Sequence, residues 1–362
     1  MFNNIPLSQL REIDARRICL IKPTALGDIV QTLPLLTAIC ERFPRARVAW
    51  VASIDFAPLL EPDERLDEVI LYRRRGNWRD WRTLLGTLGK RRFDLVFDMQ
   101  GLLRSGLMTA ATRAPIRVGL ETAREGAHLA CNYAIPDTGR EVPAHLRYWR
   151  VAEAIGMGEL HREPRIHVTE AANHWAQAKL SALRPPVLAV HAGAGWKTKR
   201  WPVEKFAVIA AKAARRYGFS TVILGSNGER AAARQIELLL KRFVPASGRL
   251  NLAGATTLPQ LAGVLSNTDI LLSNDSGPMH LAAGLGTPVV GLFTCTSPIR
   301  SGPPGKQHAL VTTALSCAGS YKKRCPYRGR KHLACFEELS AERAWHAFES
   351  IVEKTVAEPA VA

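Results

Sequence analysis

Acid is what this chain is short of. Its 32 aspartates and glutamates face 49 lysines and arginines, a formal net charge of +17. Such an excess calls for a polyanionic partner: nucleic acid, an anionic membrane surface, or a phosphorylated or carboxylated substrate. Cysteine is sparse and odd in number, 7 in 362 residues, which excludes a disulfide scaffold and reads as a reducing cytoplasm. Long apolar runs are missing, because glycine, proline or a polar residue interrupts each of them well before membrane-spanning length. The opening "MFNNIPLSQLREIDARR" has no apolar signal core, so export is not expected. There is no GxxxxGK[ST] loop and no GxGxxG turn, which leaves a P-loop NTPase or a simple dehydrogenase without support. Aromatic residues make up only 7%, and no nucleic-acid-binding module is recognisable. A basic nucleic-acid-binding protein is thus an alternative carried by charge alone, and no nucleic-acid partner is expected.

What is present is an alternation of strand-like and helix-like segments. "RICLIKP" (17–23), "ARVAWVA" (46–52), "EVILY" (68–72) and "DLVFDM" (94–99) read as buried strands, with helical spacing over 28–43 and 78–90 between them. The rhythm weakens over 120–185 and then restarts. "PVLAVHAG" (186–193), "STVILG" (220–225), "DILLSN" (269–274) and "PVVGLFT" (288–294) read as strands, with helices at 202–218, 228–243 and 258–268. This is the β-α-β pattern of a parallel sheet covered on both faces. Two doubly wound α/β domains are expected, with a boundary within 165–185 and ligands bound beyond the carboxyl ends of the strands, in a cleft between the domains.

Three strand-to-helix turns carry unusual chemistry. In "NDSGPMHLAAGLGTP" (274–288), Pro278 suits the first helical position, where no donor is needed. The N–H groups of Gly277, Met279 and His280 then face outward at the positive end of the helix dipole, an anion site. Asp275 would repel a phosphate and is suited to accepting hydrogen bonds from hydroxyls, so a diphosphate bearing a sugar satisfies both halves. The plainer alternative is a helix capped by Asp275 or Ser276. "IKPTALGDIVQTLP" places Gly27 and Asp28 between a strand and a helix from Ile29. "HAGAGWKTKRWP" (191–202) offers small residues for close approach and the cations Lys197, Lys199 and Arg200 for phosphate.

Taken together, "KPTALGDIVQTLPLLTAICERFP", "HAGAGWKTKRWPVEKFAVIA" and "SNDSGPMHLAAGLGTPVVGLF" resemble, in order and spacing, the signature segments of the ADP-heptose:lipopolysaccharide heptosyltransferase family, glycosyltransferase family 9. The resemblance covers most of 17–350. It implies the GT-B architecture, two Rossmann-like domains around a central cleft. Residues 1–170 would bind the acceptor, 171–339 the nucleotide sugar, and the terminal helix within 340–362 would pack back on the N-terminal domain. It implies inverting transfer from ADP-heptose with no required cofactor. Asp28 matches the general base, with helix capping as the competing role. Lys199 matches the cation that neutralises the departing diphosphate, with Lys197 and Arg200 as rivals within reach. Asp275, Ser276, Gly277, Met279 and His280 match the donor-sugar and phosphate segment, His280 bracing the turn. "LGSNGER" (224–230) matches a segment that reaches the nucleotide ribose, through Asn227 or Glu229, and Thr256 or Thr257 falls near the base.

The implied acceptor is a lipid-linked core oligosaccharide bearing carboxylates and phosphates. Thr24, Gly27, Gln100, Arg104 and the run Arg73, Arg74, Arg75 are the candidates to meet it. The Trp- and Arg-rich "YRRRGNWRDWR" (72–82) also suits an anionic lipid surface, so a cytoplasmic protein peripheral to the inner face of the inner membrane is expected. A solvated helix face with core tryptophans is the alternative there. A related GT-B enzyme using another nucleotide sugar or a protein hydroxyl is the alternative within the class. Cys317, Cys325, Cys335 and His332 are separated by spacings unlike a CxxC knuckle; free thiols in a basic loop are expected, with metal binding as the competing reading.

Overall fold

The computed structural model describes residues 7–136, 142–159 and 163–357. The chain divides into two compact units, Met1–His167 and Val168–Ala362. In the first, β1 (Arg17–Ile21), β2 (Arg47–Ser53), β3 (Glu68–Tyr72), β4 (Leu95–Asp98), β5 (Ile116–Leu120) and β6 (Tyr133–Ile135) form a parallel sheet in the order β3-β2-β1-β4-β5-β6. In the second, β7 (Val187–His191), β8 (Ser220–Leu224), β9 (Arg249–Asn251), β10 (Ile270–Asn274), β11 (Val289–Phe293) and β12 (Ala309–Thr312) form another, in the order β12-β11-β10-β7-β8-β9. Counted from its own first strand, each sheet has the order 3-2-1-4-5-6. The two units therefore share one doubly wound topology, the fold class expected from the sequence.

Parallel strands covered on both faces must be apolar on both faces, and β1 shows how period two divides them. Ile18 and Leu20 join a core with Trp50, Phe97 and Trp149, under the helices Leu26–Arg42 and Ala144–Ala154. Cys19 and Ile21 join the opposite core with Val51, Leu84, Leu88 and Met108, under the helices Trp78–Lys90 and Leu103–Thr112. In the second unit Leu188, Val190, Ile223 and Leu272 pack on Phe206 and Ile209 of the helix Val203–Tyr217.

Three differences from the sequence reading concern boundaries and packing. β6 and the helices Ala144–Ala154 and Glu170–Leu180 occupy the stretch where the rhythm weakens, and β5, just before it, is a strand that the sequence reading did not include. The first helix begins at Leu26 rather than Ile29, so Asp28 is its third residue and not the residue before it. The terminal helix Ala341–Ala357 buries Trp345, Phe348, Ile351 and Val352 in the core of the second unit, with Trp345 and Phe348 ring-stacked 5.4 Å apart. Its apolar face packs in the core of its own unit; residues 358–362 of that segment lie outside the described residues.

Candidate active site

In a 3-2-1-4-5-6 sheet the connections leave the two central strands in opposite directions, and the crevice beyond their carboxyl ends is where ligands bind. β1 and β4 are that pair in the first unit, β7 and β10 in the second. The turn bearing Asp28 follows β1, and the turns bearing Lys199 and Asp275 follow β7 and β10.

Beyond β1, the Asp28 carboxylate is held from three directions. Its Oδ1 accepts from the Tyr148 hydroxyl at 3.1 Å, and its Oδ2 accepts from the Ala25 N–H at 3.3 Å and lies 3.8 Å from the Lys22 ammonium. The capping alternative is therefore partly realised, from inside the helix: Asp28 reaches back to an orphan donor. Its side chain stays 40% exposed. Lys22 is buried, donates to Met99 O at 2.9 Å and lies 4.8 Å over the Tyr148 ring. Burial lowers its pKa, against the pull of the Asp28 and Asp98 charges. Burial likewise raises the Tyr148 pKa well above the ordinary phenol value, with the Asp28 charge adding to it, so the phenol stays a fixed donor.

Beyond β4, Asp98 is almost fully buried and accepts from the Gln100 and Gly101 N–H groups at 2.9 and 3.0 Å. Burial raises its pKa, with the Gly101 N–H opposing first, then Ser105, Gln100 and Lys22. Gly101 has φ +63°, where a side chain would be strained, and a Cβ there would come 3.0 Å from Ala123 Cα. That turn presents Gln100, whose Oε1 accepts from the Thr24 N–H at 3.3 Å and lies 3.4 Å from its hydroxyl. Thr24, Gly27, Asp28 and Gln100 are therefore brought together. Arg104 donates to the Tyr72 hydroxyl at 3.0 Å, joining the β4 and β3 ends. Arg73, Arg74 and Arg75 are exposed just past β3, with Arg73 Nε 3.9 Å from Asp80. Trp78 is 65% exposed, not core; Trp81 packs edge-on against Tyr72 at 5.6 Å.

In the second unit Asn274 stitches the crevice. Its Nδ2 donates to Ala192 O at 2.7 Å and its Oδ1 accepts from the Trp201 N–H at 3.2 Å. The three cations of the 191–202 turn separate by geometry. Arg200 Nε donates to Ala194 O at 2.8 Å and holds its own turn. Lys197 is exposed. Lys199 points into the crevice, its ammonium 2.8 Å from Oδ2 of the buried Asp275 and 5.0 Å over the Trp196 ring. Asp275 thus has a partner that the sequence reading did not assign it. Lys323, from the basic loop, lies 5.6 Å over the same ring, and Lys322 O accepts from the Thr198 hydroxyl at 2.9 Å.

The helix Gly277–Gly284 starts at this crevice, with Ser276 before it and no side-chain cap on its end. Met279 and His280 are buried, so what they can offer a ligand from the helix end is the backbone N–H. Beside His280, His308 is pushed down to about 4, chiefly by burial and then by the His280 charge. Glu229 accepts from the Ser226 N–H at 2.7 Å and from its hydroxyl at 2.8 Å, and lies 3.6 Å from His191 Nε2. Its carboxyl is held down at about 2, first by His191 and then, against burial, by the Ser226 donors. Asn227 is exposed in the same turn. Thr257 spends its hydroxyl capping the helix Leu258–Ser266, which leaves Thr256 as the candidate of that pair.

Among the described residues no group of three or more His, Cys, Asp or Glu is placed to hold a metal ion. His332 Nδ1 lies 3.1 Å from Tyr327 O, Cys325 Sγ accepts from the Leu333 N–H at 3.4 Å, and burial raises the Cys335 thiol to about 11. Lys22, Tyr148, His191 and Asn274 were not among the residues singled out from sequence. Lys22 and His191 sit at strand ends directly before motif turns, a signal that was there to use; Tyr148 lies 120 residues from Asp28 and carried none.

Residues 81–331 match glycosyltransferase family 9 (heptosyltransferase). Lipopolysaccharide heptosyltransferase 1 of Pseudomonas aeruginosa is 28% identical over 93% of this chain and 98% of its own. Lipopolysaccharide core heptosyltransferase OpsX of Haemophilus influenzae is 26% identical over 80% of this chain and 82% of its own. Among solved structures, a family 9 glycosyl transferase from Veillonella parvula superposes with a TM-score of 0.80 at 22% identity, covering 95% of this chain and 99% of that one. ADP-heptose lps heptosyltransferase II of E. coli does so with a TM-score of 0.74 at 22% identity, covering 94% and 99%. The two superpositions show the shared fold.

Proposed function

Since this chain belongs to glycosyltransferase family 9, the heptosyltransferases, we propose that it moves heptose from ADP-heptose to a lipopolysaccharide inner-core acceptor with inversion, using Asp28 as base and Lys199 at the leaving group. The observation that carries the residue roles is their placement. All three motif turns stand at the carboxyl ends of the central strand pairs, β1/β4 and β7/β10. An acceptor hydroxyl oxygen attacks the anomeric carbon, the bond from that carbon to the diphosphate oxygen breaks, and the hydroxyl proton passes to the Asp28 carboxylate. Tyr148, the Ala25 N–H and Lys22 keep that carboxylate aimed. The charge growing on ADP falls to Lys199 and the N-terminus of the helix Gly277–Gly284. Asp275 holds Lys199 and meets the sugar hydroxyls, and Glu229 meets the ribose. Thr24, Gln100, Arg104 and the exposed Arg73–Arg75 serve the acceptor's anionic groups.

The test is product analysis with ADP-heptose and a panel of truncated lipopolysaccharide acceptors, beside thermal unfolding with ADP or DNA. A heptosylated product and a melting temperature raised by ADP are expected; saturation to a hundredfold over Kd is worth about 2.7 kcal/mol. Stabilisation by DNA with none by ADP, and no product, would return the chain to the nucleic-acid reading.

We further propose a cytoplasmic protein resting on the anionic inner face of the inner membrane. Among the described residues no helix is long and apolar enough to cross a membrane. Support for a surface contact comes from one side of the first unit. Leu103 and Leu107, one helical turn apart, are about half exposed, and Trp78 and Leu129 are more so, on elements that pack together and carry Arg79, Arg82 and Arg104. Sedimentation with vesicles checks it: binding to anionic vesicles should drop severalfold between low salt and about 1 M, where screening shortens to about 3 Å. Equal binding to neutral vesicles would sink the proposal.

A further inference from the structure

A serine directly before a helix ordinarily turns its hydroxyl onto the helix's own N–H groups. Ser276 does not. Its Oγ lies 3.2 Å from Nδ1 of His191 and 3.1 Å from Ser273 Oγ. His191 closes β7, is buried, and holds its other nitrogen 3.6 Å from Glu229. A carboxylate can only accept, so the ring's Nε2 proton faces Glu229. Ser273 donates its own hydrogen to Asn274 O at 2.8 Å, so the Ser276 hydroxyl is shared between Nδ1 of His191 and Ser273 Oγ and is kept from the helix end. The carboxylate of Glu229 in turn occupies space that only a glycine leaves open: a Cβ on Gly193 would stand 1.8 Å from Glu229 Oε1.

Resting on the donor-site reading above, we propose that His191 is a positioning residue that sets both ends of the nucleotide site from one ring. Its Nδ1 draws the Ser276 hydroxyl off the helix end, so the N–H groups there stay open for the diphosphate instead of being satisfied internally. Its Nε2 aims Glu229 at the ribose hydroxyls. Released from His191, Ser276 caps the helix and competes with phosphate for the same donors, and Glu229 loses the direction that makes it a ribose contact. A cavity-filling imidazole with no such duty would affect every ligand alike.

The two nitrogens can be removed separately. Asn places its amide about where Nδ1 lies, and Gln places its amide about where Nε2 lies. Binding of ADP, 2′-deoxy-ADP and AMP is measured by calorimetry on the wild-type protein and on His191→Asn, His191→Gln and Gly193→Ala. His191→Asn should keep the preference for ADP over AMP and shrink the preference for ADP over 2′-deoxy-ADP by roughly tenfold, the worth of one hydrogen bond to a charged group. His191→Gln should do the reverse. Gly193→Ala, which leaves the imidazole in place and displaces Glu229, should reproduce the ribose effect of His191→Asn and decides that half even if the ring variants do not fold. Equal losses for all three ligands in both ring variants, or an unchanged ribose preference in Gly193→Ala, would overturn the proposal. A wild-type protein that does not bind ADP would instead overturn the donor-site reading beneath it.

Discussion

Asp28→Asn is expected to fold, to bind ADP as the wild type does, and to lose transfer by about 10²–10⁴-fold, the usual worth of general-base assistance. The amide keeps an oxygen for the Ala25 N–H, and its NH2, in the place of Oδ1, can donate to the Tyr148 hydroxyl oxygen instead of accepting from it, so the turn keeps its shape. It loses the capacity to take a proton. A carboxylate is a weak base toward a free alcohol, but the alcohol becomes strongly acidic as its oxygen bonds to the anomeric carbon, and a well-placed carboxylate then takes the proton late. The structure adds a cost in stability. The buried Lys22 ammonium loses its neighbouring anion at 3.8 Å in either the Asn or the Ala variant, while Asp98 remains nearby. Asp28→Ala should match the Asn variant in turnover and be less stable, by roughly 0.5–1.5 kcal/mol for each hydrogen bond lost. Single-turnover rates with saturating donor, beside urea unfolding of both variants, check this. An Asn variant with near-normal turnover would show that Asp28 serves the helix and that the proton goes elsewhere.

Lys199→Ala should lower kcat by roughly 10²-fold or more, in the range seen when one preorganised transition-state donor is removed, while donor binding weakens far less. The reason is timing: charge on the diphosphate is greatest as the bond to the sugar breaks. The 2.8 Å contact with Asp275 adds a second expectation. In the empty site the ammonium is already neutralised, so bound diphosphate must compete with Asp275 for it, which subtracts from ground-state affinity more than from the later, more highly charged state. Removing the lysine also strands a carboxylate in a buried position. Lys199→Ala combined with Asp275→Asn should therefore unfold at a higher temperature than Lys199→Ala alone. Steady-state kinetics in donor concentration separate the alternatives, since equal losses in donor affinity and in kcat/KM would make Lys199 a plain anchor.

How much of this was legible in the sequence depended on whether a residue's partner lay nearby in the chain. The doubly wound fold was visible because strands covered on both faces carry unbroken apolar runs, as residues 18–21 and 270–272 do. The edge strands β6, β9 and β12 were not read as strands, being three or four residues long and, for β9 and β12, only half-buried. The turns announced themselves through glycine, proline and charge. What they touch did not. Nothing in the composition of 144–154 marks Tyr148 as the donor to Asp28, and nothing about three neighbouring cations says that Arg200 holds a carbonyl while Lys199 enters the crevice. Ser105, beside Gln100 and Arg104, turns inward: its hydroxyl is buried, accepting from the Leu102 N–H at 3.0 Å and donating to Leu102 O at 2.8 Å.

Because the strand order is the same in both units, each unit has its own crevice beyond its own central strand pair. The side-chain partners described above lie within residues 22–148 for Asp28 and within residues 191–276 for Asp275, Glu229 and His191. On the roles proposed above, acceptor choice and donor choice are written in separate stretches of the chain. Under selection the two can drift at different rates. A lineage facing a new surface sugar can rework the loops after β3 and β4 while the nucleotide grip stays as inherited, and a chain with this layout keeps its energy source through each change of target.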